Sequence, residues 1–150
     1  MIVIGRPALR IIVDACEAAV PAEACGLLIG RVGIAGRVRV TGVEPARNVA
    51  ADPVRAFEVD PGLRIGLERE LRSGPLAIVG HYHSHPAGPA RPSATDAARV
   101  IERALVWLIV GLEAGQAVEI GAFRPAAGPA ARASPFRRLE LVTVGGEAGG

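Results

Sequence analysis

The chain never stays apolar for long. Its longest uncharged apolar run is the nine residues from Ala104 to Leu112, well short of the ~20 that a bilayer-spanning helix needs. Apolar residues come instead in short blocks stopped by Pro, Gly or a charge, the pattern of short strands and helices joined by turns. Half of the 150 residues are hydrophobic and 21% are charged, which excludes disorder as the main state. Only 3% are aromatic, so the core has to be assembled from Val, Ile, Leu and Ala. A chain of this length makes one ordinary domain rather than two.

The blocks differ in period. Residues 7–20 place Leu9, Ile12, Val13, Cys16 and Val20 at helical spacing, with Pro7 suited to a first turn and Pro21 as a stop. Leu63, Leu67 and Leu71 recur at every fourth place and predict a helix over 61–72. A further helix is expected over 95–102. Strands are expected over 24–29, 37–41, 57–60, 76–83, 105–110, 118–123 and 139–144. The Pro- and Ala-rich stretch 124–135 reads as a flexible loop and GGEAGG at the end as a frayed tail. The sum is a mixed α/β (α+β) single domain with a sheet flanked by helices.

Charge narrows the partners. The net charge is +2, all 17 basic residues are Arg, and no basic run exceeds Arg137-Arg138. No stripe for nucleic acid is present in that pattern. Cys16 and Cys25 are too few for a disulfide framework. Arg6, Arg10 and Asp14 interrupt the apolar start, which therefore lacks the h-region of a signal peptide. The expectation is a soluble, cytoplasmic protein with neither a membrane nor a nucleic acid as partner.

Chemistry concentrates in residues 80–96, GHYHSHPAGPARPSATD. All three histidines of the chain are here, at positions 81, 83 and 85. On an extended strand these positions share one face. Imidazoles so placed suit Zn²⁺ or another borderline divalent metal, although the bare pattern is more often a polar strand end with no metal. Pro86, Gly88, Pro89 and Pro92 then enforce an irregular loop. Ser93 and Asp96 follow at the spacing of a capping box, a helix start that needs no further function. The same carboxylate can also be folded back onto the histidines. Two His and one Asp leave a fourth tetrahedral position open, as catalytic zinc requires. A carboxylate that can accept a proton is then needed, and Glu23, opening the apolar run ACGLLIG, is conspicuous there. Taken alone, the position of Glu23 favours a solvated turn residue. Asn48 is either a hydrogen-bonding contact for an extended substrate or a turn cap. Cys25 is read as a small buried thiol rather than a ligand, and Cys16 and Trp107 as core.

Glu23, then His83-Ser84-His85, seven residues, Ser93, two residues and Asp96 resembles the JAMM motif of the MPN+ metallopeptidase family. The resemblance extends to the context of Glu23, ACGLLIG, and to Gly80 and Pro86 around the histidines. It spans about residues 1–125, leaving 126–150 as loop, last strand and tail of the same domain. It implies a mostly antiparallel central sheet of the MPN/JAB, cytidine-deaminase-like type. It also implies Zn²⁺ held by His83, His85 and Asp96, Glu23 as general base, and Ser93 as hydrogen-bond donor to the oxyanion. Ser84, facing away, is expected to support the site, and His81 to stand at its rim against substrate. Among members, the chain is most similar to the small bacterial enzymes that process sulfur carriers. The implied reaction is hydrolysis of a peptide or isopeptide bond after the Gly-Gly tail of a ubiquitin-like β-grasp carrier. The alternative is a non-catalytic scaffold of the same fold. Oligomeric state stays open, a homodimer included. A zinc deaminase needs a P-C-x-x-C pair and a zincin needs H-E-x-x-H; the sequence contains neither.

Overall fold

A computed structural model describes residues 1–145. Strand β1 (Ile2–Gly5) runs directly into helix α1 (Arg6–Ala19), whose Pro7 sits in the first turn. Ile12 and Cys16 on one side of α1 are wholly buried, as the apolar spacing requires. Strands β2 (Cys25–Val32) and β3 (Val38–Ala46) follow as an antiparallel pair. Helix α2 (Pro61–Leu71) starts at Asp60, whose carboxylate accepts the Gly62 N–H. Then come β4 (Ala77–His85), the short helix α3 (Ala94–Ala98), β5 (Val106–Glu113) and β6 (Gln116–Pro125). One helical turn, α4 (Ala130–Ala133), precedes β7 (Phe136–Leu139) and β8 (Leu141–Val144).

The eight strands form one mixed sheet in the order β7-β6-β5-β4-β2-β3-β1-β8. Four of its seven pairings are antiparallel; β1–β3, β1–β8 and β4–β5 are parallel. β7 and β8 lie at opposite ends of that order although only Glu140 separates them. The sheet therefore curls until its two edges meet, and the Ile2 N–H donates to the Glu140 carbonyl at the junction. Helix α1 fills the concave side and touches β1, β3, β4, β5 and β6. The main core, including Ile2, Ile4, Ile12, Cys16, Leu28, Tyr82, Leu108 and Val110, lies between them and is indeed almost free of aromatics.

Two expected elements are shorter than the sequence predicts. Residues 57–60 make a single bridge, Val59 to Asn48, instead of a strand. The Glu58 N–H donates to the Asn48 side chain, so a side-chain acceptor has replaced the ladder. Helix 95–102 stops at Ala98. The Arg99 N–H tightens onto the Asp96 carbonyl, its guanidinium reaches the Phe57 carbonyl, and the β-branched pair Val100-Ile101 follows. The block 139–144, expected as one strand, is split between the two sheet edges. β1, β7 and the turn α4 were not anticipated. The tail 146–150 lies outside the described residues. No helix among the described residues is long and apolar enough to cross a membrane.

Candidate metal centre

Strand alternation sets the site. Tyr82 points into the main core and Ser84 toward the segment before β2, while His81, His83 and His85 project from the opposite face of β4. Ser84 supports the site as expected. Its buried hydroxyl accepts the Ala24 N–H at 2.8 Å and its own N–H donates to the Ala24 carbonyl at 3.1 Å, fixing the residue next to Glu23.

The Pro-rich loop after His85 lies flat because two glycines let it. Ala90 is 1% exposed and rests on Gly111 of β5 and Gly121 of β6. A Cβ at Gly111 would stand 2.9 Å from the Ala90 nitrogen, and one at Gly121 would overlap the Ala90 carbonyl. The loop then turns into α3, whose start is a complete capping box. Ser93 Oγ accepts the Asp96 N–H at 3.1 Å, and Asp96 Oδ2 accepts the Ser93 N–H at 2.9 Å. The same Oδ2 lies 3.2 Å from His83 Nε2 and 3.1 Å from His85 Nε2, and these nitrogens are 3.1 Å apart. Capping and convergence on the histidines, alternatives in the sequence, use one carboxylate at once.

The proton count in this triangle is informative. His85 Nδ1 is 2.8 Å from the Pro89 carbonyl, which can only accept, so Nδ1 carries the proton and Nε2 of the neutral ring is a bare lone pair. Asp96 Oδ2 is an acceptor as well. A single proton on His83 Nε2 cannot serve three close contacts. The donor set is poor in hydrogens and rich in lone pairs, the condition of a cation site. Tetrahedral zinc with bonds near 2.0–2.1 Å places its ligand atoms about 3.3 Å apart, close to the observed triangle. The residues therefore fit a divalent metal of the zinc type.

Burial and close contacts shift all four ionisable groups of the site. Burial pushes His83 below its ordinary value, which keeps it neutral. Burial works on Asp96 in the opposite sense, but the close imidazoles of His83 and His85 and the Ser93 N–H hold its carboxyl well below the usual carboxylate range. His85 is also pushed down by burial, yet its bonds to Asp96 and to the Pro89 carbonyl leave it raised overall. Glu23 is 5% exposed, its buried Oε2 has no hydrogen-bond partner among the described residues, and burial pushes its carboxyl up to about 7. Donor atoms of Glu23, His83 and His85 all lie within 4.8 Å of one another. Glu23, His85 and Ser93 line one cleft of about 450 Å³, with Val54, Arg55 and Arg91 on its walls.

Two expectations change. Asn48 is not available to a substrate. Its Nδ2 points at the carbonyls of Glu23, Ala56 and Pro53, at 2.9, 3.0 and 3.4 Å, and its Oδ1 accepts the N–H groups of Ala50 and Glu58, both at 3.1 Å. His81 is half-buried among aromatics rather than at the rim. Its ring lies 4.4 Å from that of Trp107 and 5.4 Å from that of Phe57, and burial lowers it to about 3. Cys25 is buried, its thiol near the Arg47 and Glu58 carbonyls and apart from the triangle. Sequence reasoning missed Phe57, which stacks on His83 with ring centroids 4.3 Å apart and planes at 17°. No spacing rule points to it; its rarity as one of five aromatics was the available signal.

Comparison with known proteins agrees with this architecture. The family model for prokaryotic homologues of the JAB domain matches residues 5–124. A desampylase of Haloferax volcanii is 40% identical over 89 residues, 59% of this chain and 62% of that protein. A Thermus thermophilus protein named "Probable TtuB-protein conjugate cleaving protease" is 40% identical over 62 residues, 41% of this chain and 42% of that protein. The chain thus matches less than two thirds of the length of either relative. The solution structure of a Desulfitobacterium hafniense protein superposes with a TM-score of 0.82 at 29% identity, covering 99% of this chain and 96% of that one. The chain belongs to the JAB-domain family, among its prokaryotic homologues.

Proposed function

We propose that this chain is a metal-dependent hydrolase that cleaves a peptide or isopeptide bond following the C-terminal Gly-Gly of a ubiquitin-like protein. The observation that carries the reading is the lone-pair triangle of His83, His85 and Asp96, with the unpartnered Glu23 carboxylate beside it in one open cleft. The names of the two relatives, a desampylase and a conjugate-cleaving protease, support the substrate class.

His83, His85 and Asp96 hold Zn²⁺. When bound, the ion supplies Lewis acidity and makes water a nucleophile near neutral pH. Glu23, whose Oε2 has no hydrogen-bond partner among the described residues, is left to move protons. Its Oε2 takes the proton of the water attacking the scissile carbonyl carbon and returns it to the leaving amine. Burial raises this carboxyl above the ordinary carboxylate value, which strengthens it as a proton acceptor. Ser93 Oγ already accepts from the Asp96 N–H, so its own O–H is free to donate to the developing oxyanion. A Gly-Gly tail suits the cleft because residues without Cβ let the backbone approach the reacting centre closely.

The test pairs metal content with cleavage. Wild type should carry about one zinc per chain and release a ubiquitin-like carrier from a conjugate joined through its terminal glycine. Asp96→Ala should lose the metal. A wild type that takes up no divalent metal, or that loads zinc and cleaves no conjugate, would remove the reading and leave a scaffold of this fold.

A further inference from the structure

The segment between β3 and α2 is bound at three places to the site, although none of its side chains belongs to the lone-pair triangle. Glu23 precedes β2, so no strand ladder holds its peptide groups. Both are satisfied by this segment instead. The Glu23 N–H donates to the Pro53 carbonyl at 2.7 Å, and the Glu23 carbonyl accepts from Asn48 Nδ2 at 2.9 Å. At its far end the segment lays Phe57 flat on His83, and the Phe57 carbonyl accepts from Arg99, three residues beyond Asp96. Asn48 closes the segment on itself through Ala50, Ala56 and Glu58, and the Val49 N–H donates to the Glu58 carbonyl at 2.9 Å. Val54 and Arg55, at its tip, form one wall of the cleft.

We propose that residues 48–58 act as a strap that fixes the base relative to the metal ligands, with Asn48 as the positioning residue. The inference rests on Glu23 being the base. Its physical content is a separation of duties. β4 and α3 place His83, His85 and Asp96, whereas the depth and direction of the Glu23 side chain are set by backbone bonds that one amide side chain organises. Loss of the Asn48 donor frees the Glu23 carbonyl and loosens the turn that presents the Pro53 carbonyl. A base displaced by about 1 Å costs of the order of 10² in rate, while the ligand triangle stays whole.

Asn48→Asp keeps an acceptor for Ala50 and Glu58 and removes the donor, turning a carboxyl oxygen toward the Glu23, Pro53 and Ala56 carbonyls in its place. Three quantities are read on the purified full chain. Amide exchange at Glu23, followed by NMR, should accelerate about tenfold, the weight of one hydrogen bond, with β1 and β5 protected as in wild type. The zinc dissociation constant should be unchanged. With a cleavable conjugate, kcat should fall by about 10² with KM held. Should Asn48→Asp not fold, Asn48→Ala carries the same test. Unchanged Glu23 exchange overturns the strap. So does faster exchange throughout the sheet with weaker zinc binding, which marks general destabilisation. A wild type without turnover sinks the hydrolase reading alone, because exchange at Glu23 still decides whether Asn48 holds it.

Discussion

At the scale of single residues, neighbouring polar groups in this site carry separable duties. Glu23 and Asp96 are both buried carboxylates, yet one is raised and the other lowered. The difference is partners: Asp96 Oδ2 has the Ser93 N–H and two imidazole nitrogens within 3.2 Å, and Glu23 Oε2 has no partner among the described residues. In the proposed reaction Glu23→Gln should therefore keep the zinc and lower kcat by about 10²–10⁴, read by elemental analysis alongside steady-state kinetics. Ser84 is a different case. Ser84→Ala strips the buried Ala24 N–H of its only side-chain acceptor, and an orphaned buried donor costs about 1–3 kcal/mol. Urea denaturation should show that loss of stability. Retention of wild-type stability would mean that the Ala24 N–H finds another partner.

At the scale of elements, much of the site follows from what glycine and proline permit. The loop from Pro86 to Pro92 carries Asp96 back over the sheet because Gly111 and Gly121 leave room for Ala90. Gly121→Ala puts a Cβ into the Ala90 carbonyl and within 2.6 Å of the Phe123 ring. The loop must lift, and Asp96 moves with it. The expected outcome is a far-UV circular dichroism spectrum like that of wild type together with weakened zinc binding by calorimetry. Wild-type affinity would show that α3 is placed by its capping box alone. The capping box was legible as spacing in the sequence. That its carboxylate also meets two imidazoles was not, since spacing along the chain says nothing about the direction in which a Pro-rich loop returns.

At the scale of the whole molecule, the two thiols are buried on different sides of the sheet, Cys16 in the main core and Cys25 beside the Arg47 and Glu58 carbonyls. Cys16 on α1 and Cys25 on β2 are each pushed up to about 12, chiefly by burial. A group whose pKa is higher folded than unfolded binds its proton more tightly in the native state. Its stabilising contribution is complete below the unfolded value of 9.0 and is lost as pH rises toward about 12. Stability should accordingly decline across that interval, as thermal midpoints at a series of alkaline pH values would reveal. A thiol reagent at pH 8 should modify neither cysteine in native protein and both after unfolding. Rapid modification of Cys16 in native buffer would show that the core opens locally around α1, and of Cys25 that residues 47–58 lift from the sheet.

The sequence by itself determined the elements whose periodicity is long or whose punctuation is strong: α1, α2, β2, β4, β5 and β6 appear within a few residues of their expected places. It also carries the five polar residues of the candidate site, Glu23, His83, His85, Ser93 and Asp96, which the resemblance to the JAMM motif singles out. The tertiary structure decided what depends on contacts distant in sequence. It sent residues 136–139 and 141–144 to opposite edges of one sheet, a choice made by the available partners β6 and β1 and not by the strands' own composition. It ended α3 after five residues, where Arg99 reaches the Phe57 carbonyl. It turned Asn48 inward, where five backbone groups surround its amide, and it laid Phe57 on His83, 26 positions later in the chain. Local spacing can name the groups that meet at a site; which of them hold the others in place is settled only when the chain has closed on itself.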